Sequence, residues 1–178
     1  IPKALGLRQI VGQTLWLEKI RLRKFELVDL IRNTRSGFEC LLATLEPGQM
    51  TQSGVVGDWS VKDMLAHIAW YQREEAELFG ETGVEASQLW EVTQDPRNDM
   101  LFEQKRARPL DQTLLDFRQA FDKLLAAVER LSDEDLNTPG RFPGTSAARP
   151  PWRAIAIHSY EHDREHIEDI KAWMASSR

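Results

Sequence analysis

Ile155-Ala156-Ile157-His158-Ser159-Tyr160-Glu161-His162-Asp163-Arg164-Glu165-His166, running on through Ile170 to Trp173, decides how this chain is read. The chain has four histidines; three fall in this stretch at four-residue spacing and the fourth is His67. With about 100° of rotation per residue, Ile155, Ser159, His162, His166, Ile170 and Trp173 fall within an arc of roughly 80°. That arc is the apolar stripe by which an amphipathic helix finds its neighbours, so two imidazoles point inward. His158 lies at the edge of the stripe, and Asp163, Arg164 and Lys171 lie outside it or at its margin. Helical neighbours four apart have Cβ atoms about 5–6 Å from each other, a distance two imidazole nitrogens can close on one transition metal. A third ligand must come from elsewhere in the chain.

His67 is the candidate. It sits in Trp59-Ser60-Val61-Lys62-Asp63-Met64-Leu65-Ala66-His67-Ile68, which opens with a helix start signal: Ser60 caps the first-turn amides and Asp63 places a carboxylate among them. Val61, Met64, Leu65 and Ile68 form an inward stripe that His67 borders. Burying two adjacent imidazoles is unfavourable unless each finds a partner. A metal satisfies His67, His162 and His166 together; the competing reading makes them hydrogen-bonded core residues.

These two segments, with Gly54-Val55-Val56-Gly57-Asp58 before the first and the region of Asn98 between them, resemble the DinB-like superfamily and are most similar to its ClbS/DfsB branch. The resemblance covers roughly residues 24 to 174. It implies an all-α, up-down four-helix bundle in which one histidine of the second helix and a His-x-x-x-His pair of the fourth hold a divalent metal. Those positions read His67, His162 and His166 here. For the superfamily it implies thiol-dependent transferases and isomerases, with a low-molecular-weight thiol at an open coordination position. For the ClbS branch it implies a protective hydrolase acting on a reactive small molecule, in which a metal need not be the catalyst.

Reading outward, apolar residues recurring at three and four from Val28 to Leu45 predict a first bundle helix over about 22–45, with Thr34 or Arg35 filling a gap in its stripe and Pro47-Gly48 ending it. Gly54 and Gly57 suit sharp turns before Ser60. The second helix runs from Val61 to about Phe79. Beyond His67 it carries Tyr71, placed to orient or donate to something at the metal, and Glu74 and Glu75, which its charged second half assigns to solvent. Between 81 and 109 the periodicity weakens. Thr82-Gly83 and Asp95-Pro96 are breakers, Leu89-Trp90 suggests a short helix over the bundle, and Asn98 to Arg106 another turn or two. This crossover is either a lid that gives the site its specificity or plain connection. Leu110, Leu114, Phe117, Phe121, Leu124, Val128 and Leu131 mark the third long helix, with Asp111 capping its start. Ser132 opens a fresh capped turn. A loop over 137–150 leads to Pro150-Pro151-Trp152, which launches the last helix. Phe142 and Trp152 are candidates either to line a pocket mouth or simply to pack. Residues 1–20 fall outside the resemblance and read as an N-terminal helical appendage to a single domain over 21–178.

At 178 residues the chain suits one domain with a proper core. Its 42% hydrophobic and 29% charged content is that of a soluble globular protein. A formal net charge of -5 offers no general attraction to nucleic acid or anionic membrane. Cys40 is the single cysteine, so no intrachain disulfide forms, and its place on an apolar face predicts an inert buried thiol. No run reaches the roughly 18 apolar residues of a membrane span, and no signal peptide is evident, so a cytoplasmic location is expected.

Three neutral imidazoles leave coordination positions open to water or substrate. Zinc, nickel, iron or copper all suit such a nitrogen set, zinc or nickel being the expected ion. It would lower the pKa of bound water or polarise a substrate group. The expectation is therefore a metal-dependent hydrolase or thiol-dependent transferase acting on a small-molecule substrate. Asp163 and Glu165 flank the histidines but sit off the stripe, which gives them a surface role. His158, one turn before His162, is placed to stand in for a ligand or to donate a proton. The rival expectation is a catalytically idle binding or scaffold bundle, with a homodimer through its helices as one arrangement.

Overall fold

The computed structural model describes residues 21–80, 88–143 and 145–176. The expected appendage of residues 1–20 and the Thr82-Gly83 breaker lie outside them. The described residues form an all-α, up-down four-helix bundle with additional short helices. Its elements are α1 (Lys24–Leu42), α2 (Pro47–Thr51), α3 (Val61–Leu78), α4 (Gln94–Lys105), α5 (Leu110–Arg130), α6 (Asp133–Asn137), α7 (Pro151–Ala156) and α8 (His162–Ser176), with a 3₁₀ turn over Gln88–Glu91 and a π-helical segment, Ile157–Glu161, joining α7 to α8. The bundle proper is α1, α3, α5 and the last helix, and α3 and α5 make the most extensive pairing.

Its apolar core falls into two main clusters along the bundle. At one end Phe38, Met64, Leu65, Ile68, Phe117 and Ile170 pack together, with Phe38 edge-on to Phe117 at 5.5 Å. At the other, Leu27, Ile31, Leu124, Val128, Trp152 and Ile155 do the same. Trp152 is thus a core residue and Phe142 packs on Phe79 at 5.1 Å, so the packing alternative holds for both aromatics.

Local chemistry explains most boundaries. Ser60 Oγ accepts from the Asp63 amide while an Asp63 carboxylate oxygen accepts from the Ser60 amide, a reciprocal cap that stabilises α3 by about 1 kcal/mol. Gly54 (φ 109°) and Gly57 (φ 58°) occupy the left-handed region, which lets the chain double back so that the amides of Gly54 and Val55 both donate to the Trp59 carbonyl. Ser132 and Asp135 repeat the reciprocal cap for α6, and Pro151 takes the first position of α7.

Other boundaries depart from expectation. Pro47 does not merely stop α1, which has ended by Ala43; it occupies the first position of α2, where its missing N–H has no cost. Asp95-Pro96 likewise lies inside the first turn of α4. Asp111 is in the first turn of α5, but the capping position is Pro109, so Asp111 serves the helix dipole rather than the cap. Cys40 is exposed, because the buried face of α1 runs through Thr34, Arg35, Phe38 and Leu42.

The last helix is not one straight cylinder. Ser159 has φ -124° and ψ -106°, and its hydroxyl donates to the Ile155 carbonyl at 2.5 Å. Beyond this wide turn the buried residues of α8 are Asp163, His166, Ile167, Ile170 and Trp173. The centre of the buried stripe therefore passes close to Asp163, and His162 stands at its margin.

Candidate metal centre and its pocket

His67 comes from the middle of α3, His162 from the first residue of α8 and His166 from one turn further on. The three ring nitrogens converge: His67 Nε2 lies 3.0 Å from His162 Nε2, and His166 Nε2 lies 3.0 Å from the same atom. One candidate donor atom from each residue falls within 4.8 Å of the others. His67 and His166 are buried and His162 is partly so. Burial holds both His67 and His162 well below the ordinary imidazole pKa, and the neighbouring His166 ring acts in the same direction. Both rings are thus kept neutral, the form that binds metal.

Hydrogen bonding alone does not satisfy this cluster. The Nε2 of His162 has one in-plane position, either a proton or a lone pair, yet two ring nitrogens approach it. The Nδ1 atoms of His67 and His162 are buried with no hydrogen-bond partner, and His166 Nδ1 lies 3.3 Å from an Asp169 carboxylate oxygen. A divalent cation accepting all three Nε2 lone pairs fits the donor set: three neutral imidazoles, one facing a carboxylate behind it as metal-bound histidines commonly do.

The surroundings fix the rings. Trp59, delivered by the glycine turn, stands edge-on to His67 at 5.3 Å and stacks on Phe102 at 5.5 Å. Beneath α8, Asp163 is buried against Arg35 and Gln72: Arg35 Nε donates to Asp163 Oδ2 at 3.1 Å, Arg35 Nη2 donates to Gln72 Oε1 at 2.8 Å, and Gln72 Nε2 donates to Asp163 Oδ1 at 3.1 Å. The Arg35 guanidinium also lies 3.8 Å over the Phe117 ring centroid. This corrects the surface role expected of Asp163: it ties the histidine helix to α1 and α3.

A pocket opens beside the three histidines, walled by Tyr71, Gln94, Arg97, Ile157, His158 and Glu165. Glu165 is therefore a pocket residue rather than a surface one, with burial raising its pKa. Tyr71 does not fill the donor role expected of it, because its hydroxyl already donates to Asn98 Oδ1 at 3.1 Å and accepts from Arg97 Nε at 3.0 Å. Burial raises its pKa, which keeps the phenol protonated. Arg97 is buried, its guanidinium 4.5 Å over the Trp90 ring. The crossover thus contributes Gln94 and Arg97 directly to the pocket wall. Nothing in the sequence marked Arg97, which lies in the weakly amphipathic α4. Glu74 accepts from Trp90 Nε1 at 2.9 Å, so it too is engaged rather than merely solvated. Glu75, also expected at the surface, is 2% exposed and lies 2.7 Å from His158 Nδ1.

Comparison with known proteins follows the same lines. Residues 30–170 match the DinB superfamily. No curated protein matches the chain. Among solved structures, a protein from Streptococcus pneumoniae is similar with a TM-score of 0.70 at 13% identity, covering 92% of this chain and 96% of that one. An uncharacterised protein from Escherichia coli UTI89 gives 0.66 at 13% identity, covering 87% and 94%. A structure described as the sibling lethal factor precursor DfsB gives 0.66 at 19% identity, covering 88% and 97%. At these identities the likeness is one of fold.

Proposed function

As the chain belongs to the DinB superfamily, we propose that it is a divalent-metal protein in which His67, His162 and His166 hold the ion and the adjoining pocket carries out chemistry on a small molecule, as a hydrolase or a thiol-dependent transferase. One observation carries the reading: two imidazole nitrogens each stand 3.0 Å from the single Nε2 of His162, an arrangement that a shared proton cannot satisfy and a cation can. Zinc or nickel suits the nitrogen set. Such an ion, when bound, supplies Lewis acidity toward a substrate oxygen or lowers the pKa of a bound water or thiol. The protein's part is to hold the rings neutral by burial, to fix their orientation through Trp59 and Asp169, and to narrow the approach with Tyr71 and Arg97.

Elemental analysis of tag-free protein tests the reading. About one transition-metal ion per chain is expected, lost in His162→Ala. A wild-type protein that takes up no ion from zinc or nickel solutions overturns it. That outcome favours a metal-independent protective protein, the reading implied by the resemblance to the ClbS/DfsB branch.

A further inference from the structure

His158 in the pocket wall and Glu75 buried behind it have no part in holding an ion. Glu75 lies on α3 two turns beyond His67, and His158 lies in the π-helical segment one turn before His162. They meet at 2.7 Å between Glu75 Oε2 and His158 Nδ1, a separation typical of a charge-assisted hydrogen bond. Glu75 is 2% exposed, and its other oxygen, Oε1, is buried with no hydrogen-bond partner. A buried carboxylate with a single partner is a poor packing element, since an apolar side chain of similar size would fill the same space without the desolvation penalty. What the carboxylate does supply is an orientation. It accepts a hydrogen bond from the Nδ1–H, fixing one tautomer and leaving the lone pair on Nε2.

The other edge of the ring is placed for use. The His158 side chain is 20% exposed, it lines the pocket that His67 and His162 also line, and its Nε2 makes no hydrogen bond among the described residues. Tyr71 and Trp90 flank the ring, with centroids at 5.3 and 5.6 Å. An imidazole wedged by aromatics and oriented from behind by a carboxylate, with a bare nitrogen toward a pocket, is the arrangement required of a general base.

We propose that His158 is the catalytic base of this pocket and that Glu75 is its positioning residue. A water or thiol in the pocket gives its O–H or S–H proton to His158 Nε2 as the freed electron pair forms the new bond to an electrophilic carbon of the substrate. The imidazolium, stabilised by Glu75, returns that proton to the departing atom, and the ring ends as it began. The assignment rests on the proposed function in that both need this pocket to be the working site, but the proton transfer itself requires no ion.

The ring opening of 5-nitrobenzisoxazole is a suitable probe, because it consists of one proton abstraction: the C–H proton passes to the base, its electron pair completes a nitrile, and the N–O bond breaks to a coloured phenolate. Wild-type protein is expected to accelerate this reaction beyond an equal concentration of free imidazole, with or without prior chelator treatment. Both His158→Gln and Glu75→Gln should lower kcat/KM by about tenfold or more, with Glu75→Asp restoring part of the loss. In parallel, ¹⁵N NMR of the wild-type protein should find His158 protonated at Nδ1 and bare at Nε2. A wild-type rate no greater than imidazole's, a rate indifferent to Glu75, or a proton on Nε2 in the neutral ring overturns the assignment. Metal content is measured separately, so an absent ion would end the proposed metal function while leaving this result standing.

Discussion

Arg35 on α1 and Asp163 on α8 form an ion pair of 3.1 Å that is withdrawn from solvent, the two side chains being 5% and 2% exposed. Burial pushes each toward its neutral form, lowering the arginine pKa and raising that of the aspartate, and their mutual attraction opposes both shifts. Asp163 immediately follows His162, so this pair governs where the histidine helix sits against the bundle.

Removing one partner should therefore be worse than removing both. Asp163→Leu leaves a buried guanidinium uncompensated and is expected to destabilise the fold by about 3–5 kcal/mol, whereas adding Arg35→Met recovers most of the loss. Urea unfolding of the two singles and the double measures this. Additive losses would mean that the pair is not coupled.

In metal-free protein, stability should fall with acidification. His67 and His162 have folded pKa values below their unfolded value of about 6.5, so below that pH the unfolded chain binds protons that the folded one does not. Their contribution is fully present above about pH 6.5 and is lost as pH drops, at up to about 1.4 kcal/mol per pH unit for each ring. Denaturation midpoints at successive pH values should show this slope in the wild type and a shallower one in His67→Asn/His162→Asn. Equal slopes would mean that these rings are not held neutral.

Metal should stabilise the fold by mass action. Zinc at a hundredfold over its Kd is expected to add about 2.7 kcal/mol, or roughly 5–10 °C in Tm for a chain of this size. The shift should vanish in His162→Ala, and its survival there would place the ion elsewhere.

The exposed thiol gives a fourth expectation. Cys40 should react fully with a disulfide reagent in native protein, and Cys40→Ser should change stability by no more than about 0.5 kcal/mol. Labelling that requires denaturant would contradict its placement.

The features legible in the sequence are those with a short-range cause. Histidines four apart share a helix face, Ser60 and Asp63 three apart make a cap, and proline opens α7; all three appear in the structure. The features that escaped have distant causes. Asp163 resembles a surface charge until Arg35, 128 residues earlier, is brought against it, and Glu75 does so until His158, 83 residues later, arrives. Hydrophobic periodicity cannot show a paired buried charge, because it scores each side chain alone. The same blindness left Asp163 outside the expected stripe and His162 within it, whereas the buried face of α8 includes Asp163 and leaves His162 at its margin. The wide turn at Ser159 has no local signature at all, since a Ser-Tyr-Glu run is ordinary in a regular helix.

That turn makes the pocket wall unlike the rest of the bundle. Where an α-helix repeats one backbone geometry at every residue, the stretch from Ile157 to Glu161 departs from it at Ser159. Its amides should be the earliest in the last helix to exchange with deuterium, and the rim there can yield to an entering molecule while the anchored segments on either side keep their places.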